Sequence, residues 1–354
     1  MKALVTGAAG FIGSHVVRAL LARGASVVAF DRPGADGRNL AGLPVAVVHG
    51  DVRRADDVRA ALRGVTHVFH LAAVFSLDPR DAAKMMDVNV LGTENVLARA
   101  RELGGCRVVH TSSIARFGGQ GLSRRATEES PFRLGPTLDA YSWSKNEAHE
   151  VALAAARRGQ DVVITAPCGP LGPGDVGPTP TGRLLLTALA MPISALPHTV
   201  TTFADVRDMA EAHVLAAERG QAGESYLLGH EDWGTLDLAR AAQRARGRSR
   251  PVVRVPLVAA SAAAWALAAW TARSGEPPLF TPESIRISRL GLRADCSKST
   301  RALGVRYRPV ARALEDALDW FDREGYAARA SARRSPIART APPSDMKTAS
   351  ATSA

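Results

Sequence analysis

Tyr141 and Lys145 stand four residues apart in a segment, Asp139–Arg158, whose apolar spacing predicts a helix. Residues i and i+4 share a helix face, so a phenol and an ammonium project together. A phenol with a pKa of ~10 is a poor base at neutral pH, and a neighbouring cation stabilises its phenolate. Such a pair can pass a proton to or from an oxygen, while the ammonium also reaches a ribose hydroxyl. Hydroxyls suited to polarising that oxygen follow the strand-like run Arg107–Thr111, at Ser112 and Ser113. The carboxyl ends of such strands are where open α/β sheets bind ligands.

A second constellation opens the chain. Thr6-Gly7-Ala8-Ala9-Gly10-Phe11-Ile12-Gly13 joins a strand-like run, Ala3–Thr6, to a helical pattern in which Ile12, Val16 and Leu20 recur before Gly24. Glycines at this spacing let the chain turn tightly and let the N–H groups around Phe11 and Ile12 approach a pyrophosphate at a helix N-terminus. An acidic residue, Asp31, closes the second strand-like run, where a carboxylate can accept hydrogen bonds from an adenosine ribose. That favours NAD, because a 2′-phosphate would meet a like charge. Arg32 follows at once and keeps NADP open, since it could pair with such a phosphate. Asp51 and Val52, after the third run, suit an adenine amine and ring, or else a cap for a helix over Asp56–Leu62.

The elements that must position these residues alternate in the first half. Strand-like runs at Ala3–Thr6, Ser26–Phe30, Val45–His49, His67–Leu71, Arg107–Thr111 and Asp161–Thr165 are separated by helical patterns, including Asp81–Leu103. This predicts an α/β fold, a doubly wound parallel (Rossmann) sheet, over residues 1–166. Pro and Gly crowd into Pro167–Gly182, which reads as a loop leaving the sheet. A strand at Ser225–Leu228 brings 199–230 back to the first domain. Residues 167–198 and 231–328 form a small C-terminal substrate domain, with helices at Leu236–Arg246 and Pro309–Glu324 and Pro309 at the first helical position. The tail, 329–354, is rich in Ala, Ser, Pro and Arg without periodicity from Ser331 on, and is expected to be disordered.

Composition narrows the partners. The chain has 354 residues and a net charge of +11, yet only 5% aromatic residues, so the stacking platforms of a nucleic-acid binder are missing. The charge is uneven: residues 166–235 hold three basic and eight acidic groups, whereas six arginines between Arg240 and Arg254 precede the uncharged stretch Val255–Ala272 with Trp265 and Trp270. Three readings of that stretch stand side by side: a helix packed in or over the substrate domain, a peripheral membrane contact, and a span, for which it is short. Cys106, Cys168 and Cys296 are far apart in sequence, which fits a reducing cytoplasm and neither a disulfide framework nor a metal site. Cys168, His70 and His110 read as packed residues, and no metal ligand set is expected. The apolar start, broken by Gly7 and Gly10, does not read as a signal peptide.

Together these motifs resemble the extended short-chain dehydrogenase/reductases, the NAD-dependent epimerase/dehydratase family. The resemblance rests on Gly7-x-x-Gly10-x-x-Gly13, His70-Leu71-Ala72-Ala73, Asn89-Val90-x-Gly92-Thr93, Thr111-Ser112-Ser113, Tyr141-x-x-x-Lys145 and Phe203-Ala204-Asp205-Val206-x-Asp208. Within the family the chain looks like the dihydroflavonol-reductase-like and 3β-hydroxysteroid-dehydrogenase-like branches. Gly172-Pro173-Gly174-Asp175 and Tyr226-Leu227-Leu228-Gly229 look like the hopanoid-associated sugar epimerases. The resemblance implies Ser113, Tyr141 and Lys145 as the catalytic set, with Ser112 as the other serine in reach. It also implies cofactor contacts from Leu71, Ala72, Ala73 and Pro167. For Asn89 it implies a place at the cofactor or at a helix distortion, beside the plainer reading of a helix-face amide. Ile114-Ala115 stands where dehydratase members carry an acidic pair, so no such acid and base are present. Ala166 and Gly169 replace the Arg and Asn of nucleotide-sugar members. The implied activity is hydride transfer at a secondary alcohol or ketone of a hydrophobic or polycyclic small molecule. A sugar or nucleotide-sugar epimerase acting by transient oxidation with tightly bound NAD is the alternative. Family members often form homodimers through the long helices, here Asp81–Leu103 and Asp139–Arg158.

Overall fold

The computed structural model describes residues 1–121, 123–133, 135, 139–264, 285 and 291–326. Apolar runs without alternation become strands covered on both faces, as parallel sheets require. Seven of them, β1 (Lys2–Thr6), β2 (Ser26–Asp31), β3 (Ala46–His49), β4 (His67–His70), β5 (Arg107–Thr111), β6 (Val162–Pro167) and β10 (Ser225–Leu228), form one parallel sheet in the order β10-β6-β5-β4-β1-β2-β3. The order reverses at β1, so β1 and β4 diverge to opposite sides of a crevice at the sheet's carboxyl edge.

Helices α1 (Phe11–Ala22) and α8 (Val206–Arg219) cover one face, where Val16, Val17 and Leu20 pack with Met209 and Val214. The other face is covered by α2 (Ala55–Ala61), α4 (Gly92–Glu102) and α6 (Ala140–Arg157), through Val58, Val96, Leu97 and Ala152. Each large apolar side chain so buried contributes roughly 1.5–3 kcal/mol, and the sheet becomes a rigid floor for the loops above it.

The long helical pattern Asp81–Leu103 is not one regular helix. After a 3₁₀ turn at Pro79–Asp81, α3 (Ala82–Met85) widens into a π-helical stretch, Met86–Leu91, before α4 resumes. The Pro/Gly-rich segment also differs from a plain loop. It contains β7 (Gly169–Leu171), and α7 (Pro180–Ala190) begins inside it because Thr179 accepts the Gly182 N–H and Pro180 needs no partner there. Pro170 is tolerated because β7 is an edge strand, beside β9 (Val200–Asp205) in a sheet of order β11-β9-β7 with β11 (Glu231–Gly234). Thus β9 belongs to this smaller sheet, and the return to the large sheet is made by α8 and β10. A two-stranded sheet joins β8 (Ser194–Pro197) to β12 (Val252–Val255), beneath α9 (Thr235–Ala245). The chain closes with α10 (Ser297–Leu303) and α11 (Val310–Arg323), and Pro309 is the cap of α11 and not its first residue.

Residues 291–296 tie the two parts together. Ala126 N–H donates to the Arg293 carbonyl at 2.7 Å, Asp295 N–H donates to the Ala126 carbonyl at 2.8 Å, and Thr202 N–H reaches the Leu292 carbonyl at 3.3 Å. The free edge of β10 is closed by Glu128, whose carboxylate accepts the Leu227 N–H at 2.8 Å. The tail, Trp265 and Trp270 lie outside the described residues. No helix among the described residues is long and apolar enough to cross a membrane.

Candidate active site

The glycine turn is fixed by contacts no other residue allows. Gly7 has φ +67°, and a Cβ there would stand 2.8 Å from the Ala72 nitrogen. A Cβ on Gly13 would overlap the Gly7 carbonyl oxygen. Gly10 caps α1 with no side-chain hydrogen bond, and the first turn carries no carboxylate, so its N–H groups face outward beside Phe11 and Ile12. An anion completes such an end. Asp31 lies beside this turn at the end of β2 and accepts the Ala9 N–H at 2.6 Å. Burial raises its carboxyl above the usual value against the pull of that hydrogen bond. Arg32 is exposed next to it.

Thr6 holds the facing turn. Its hydroxyl accepts the Ala72 N–H at 3.1 Å, its carbonyl accepts the Leu71 N–H at 3.1 Å, and His70 Nδ1 lies 2.8 Å from the same hydroxyl. Leu71, Ala72 and Ala73 are thereby placed across from Gly7. Asp51 does not cap α2. Its carboxylate is held by Arg53, and the cap position falls on Arg54. Val52 is buried under Gly92.

The catalytic candidates converge at the carboxyl ends of β5 and β6. Ser113 follows β5 and caps a short helix, α5 (Ile114–Phe117), and its hydroxyl acts on the Tyr141 phenol. Ser112 turns the other way, its hydroxyl 3.0 Å from His149 Nδ1. Lys145, one turn beyond Tyr141 on α6, is 4% exposed and donates to the Thr111 carbonyl at 2.6 Å. Burial lowers its ammonium to about 8. The phenol departs from the sequence expectation: burial pushes it up, Ser113 pulls it down, and the Asp139 carboxylate adds to the rise. The ammonium faces the Thr111 carbonyl and does not lower it.

Two positioning features escaped the sequence reading. Asp139 caps α6 by accepting the Tyr141 N–H at 3.1 Å and the Ser142 N–H at 2.9 Å, which sets the angle at which Tyr141 leaves the helix. An Asp two residues ahead of the Tyr was the available signal. Phe75 also packs edge-on to Tyr141, with centroids 4.7 Å apart, while 44% exposed.

Asn89 sits in the π-helical stretch. It accepts the Val74 N–H at 2.7 Å, donates to the Val74 carbonyl at 3.0 Å and donates to Ser144 at 2.9 Å. The distortion thus links the loop after β4 to the helix of Tyr141. Ile114 and Ala115 are buried apolar residues beside Ser113. Pro167 is buried at the end of β6, and next to it the Cys168 and Cys296 sulfurs lie 4.0 Å apart. The Cys296 thiol beside it, and then burial, push the Cys168 thiol up and keep it protonated. His70 and His110 are buried and neutral, and no group of side chains suited to a metal ion occurs among the described residues.

Comparison with known proteins agrees with this geometry. The model of the NAD dependent epimerase/dehydratase family matches residues 3–229, and the chain belongs to that family. It is 36% identical over 326 residues to a putative dihydroflavonol 4-reductase of Synechocystis sp., covering 91% of this chain and 95% of that protein. It is 36% identical over 329 residues to sterol demethylase protein B of Methylococcus capsulatus, covering 92% and 99%. The crystal structure of gox2253 superposes with a TM-score of 0.80 at 34% identity, covering 92% of this chain and 98% of that one. The chain is therefore an enzyme of a family whose cofactor is NAD(P), and the uncapped α1 end, the glycine cradle and Asp31 fit that group.

Proposed function

We propose that this enzyme is a reductase or dehydrogenase of the extended short-chain type (class 1.1.1.-), acting on a secondary alcohol or ketone of a hydrophobic or polycyclic small molecule. The observation that carries this reading is the convergence of Ser113, at the end of β5, with Tyr141 and Lys145 one turn apart on α6, beside buried apolar residues, Ile114 and Ala115, filling the place of an acid and base for water loss. NAD(P) bound at the α1 end would supply the hydride acceptor or donor. Ser113 and Tyr141 hydrogen-bond the substrate oxygen between them. In the reducing direction the phenol gives its proton to that oxygen as it gains negative charge, and in the oxidising direction the phenolate takes it back. Lys145, fixed on the Thr111 carbonyl, presents its remaining N–H donors to the cofactor ribose and meets the phenolate's charge once it forms. Asp31, held by Ala9, accepts from a ribose diol and repels a 2′-phosphate, which supports NAD over NADP.

The names of the two relatives, a flavonoid-type reductase and a sterol-processing protein, support an apolar polycyclic substrate. The test is incubation with deuterium-labelled NADH or NADPH and a panel of polycyclic and aliphatic ketones. Label is expected in an alcohol product, with NADH preferred, and Tyr141→Phe is expected to lower kcat at least about a hundredfold. Inversion of a sugar carbon without net cofactor change would make it an epimerase instead. Full activity in Tyr141→Phe would overturn the mechanism.

A further inference from the structure

Phe75 is a large apolar ring that the protein leaves 44% exposed beside the Tyr141 phenol. A single exposed apolar side chain is ordinary on a soluble protein. This one differs in how firmly the chain holds it. The residue before it, Val74, has its N–H and its carbonyl both bonded to the Asn89 side chain, at 2.7 and 3.0 Å. The residue after it, Ser76, donates its hydroxyl to the Asp81 carboxylate at 2.6 Å and accepts the Asp78 N–H at 3.0 Å. Asn89 is buried in the π-helical stretch, and Asp81 ends the 3₁₀ turn before α3. The backbone at Phe75 is thus clamped from both sides. Only the side-chain torsions stay free, so the ring loses little entropy when something covers it.

The ring's place indicates what covers it. Its centroid lies 4.7 Å from that of Tyr141, with the two planes 72° apart. An edge-on pair leaves at least one ring face open, where a stacked pair would cover it. A substrate whose oxygen meets Tyr141 and Ser113 therefore has its carbon skeleton within about a ring's width of Phe75. Water covers an apolar face poorly, and a flat apolar skeleton covers it well. The charges of this loop are spent inside it. Arg80 pairs with Asp78 at 2.6 Å, and Asp81 accepts from Ser76. What enters beside Tyr141 thus meets a ring here rather than an unpaired charge.

We infer that Phe75 is a specificity-determining platform: its open face packs against an apolar ring that carries or adjoins the reacting carbonyl. Ketones set in a fused ring system are thereby selected over short open-chain ones. The inference deepens the hydride-transfer reading and rests on it for the place of the substrate oxygen.

The probes are 2-decalone, which is bicyclic, and 2-butanone, which is open-chain. In Phe75→Ala, kcat/KM for 2-decalone is expected to fall about tenfold more than for 2-butanone, with most of the difference in KM. Phe75→Tyr keeps the flat face and is expected to restore it. Binding is followed apart from turnover by calorimetry on the full chain loaded with NAD or NADP, which cannot reduce a ketone. There Phe75→Ala is expected to weaken 2-decalone about tenfold. Equal losses for both ketones overturn the inference, because Phe75 then only positions Tyr141. No binding of 2-decalone by the wild type also overturns it, as does weaker cofactor binding by Phe75→Ala, which gives the ring to the cofactor. The expected binding pattern without label passing from reduced cofactor to either ketone supports the platform and overturns the hydride-transfer reading instead.

Discussion

Lys145 is held where a charge is costly. Its ammonium is buried, bonded to one carbonyl and lowered to about 8, against an ordinary value of 10.5. The unfolded chain binds that proton more tightly, so the group costs stability fully below pH 8, and the cost fades as pH rises to 10.5. The magnitude is on the order of 1–3 kcal/mol. Lys145→Met is therefore expected to raise the urea midpoint at pH 7, to lose most of that gain by pH 10, and to be inactive at both. A variant less stable than wild type at pH 7 would contradict this account. Tyr141 and Lys145 could be read from spacing alone, because a helix face is a local property. The Cys168–Cys296 contact could not, since the two are separated by 128 residues. Nor could the raised phenol, which depends on burial and on Asp139 rather than on its partner one turn away.

At the scale of elements, the π-helical stretch is the informative departure. Asn89 satisfies both backbone groups of Val74 and the Ser144 hydroxyl, so a loop, a helix and a distortion form one unit. Asn89→Ala leaves both backbone groups of Val74 without this partner, while Ser144 keeps its bond to the Tyr141 carbonyl, and is expected to cost about 1–3 kcal/mol. Hydrogen exchange at Val74 is expected to quicken beyond what global destabilisation explains. Exchange that tracks only the global loss would sink the linkage. Apolar periodicity reads the same over Asp81–Leu103 whether one turn is widened or not, so the sequence showed a helix and hid the bulge. The central strands were legible because their apolar runs are unbroken. The smaller sheets were not, because β7 is three residues long and contains Pro170, and α7 begins at a proline within a run of loop-like residues.

At the scale of the molecule, four histidines are buried beneath the site. Burial holds His70 and His149 at about 3 and His213 at about 4, and drives His110 down as well. Each is a base whose folded value lies below the ordinary 6.5, so the unfolded chain takes up protons first. Their neutral packing gives stability above pH 6.5 that is lost as pH falls toward 4. Each contributes a slope approaching ~1.4 kcal/mol per pH unit, and the first three together about 4. The urea midpoint is expected to be flat above pH 7 and to drop steeply below 6, and His213→Asn is expected to soften the drop. A midpoint unchanged from pH 7 to 5 would rule out this source of acid sensitivity.

The bridge between Ala126 and Ala294 also sets an order of assembly. During synthesis the turn around Gly7, Asp31 and the first five strands leave the ribosome early, with partners close in sequence. The wall that steadies the segment after Ser113 comes from residues 291–296, some 170 positions later. A nascent chain can thus shape its cofactor cradle long before it has a substrate site, and only the near-complete chain brings the two together.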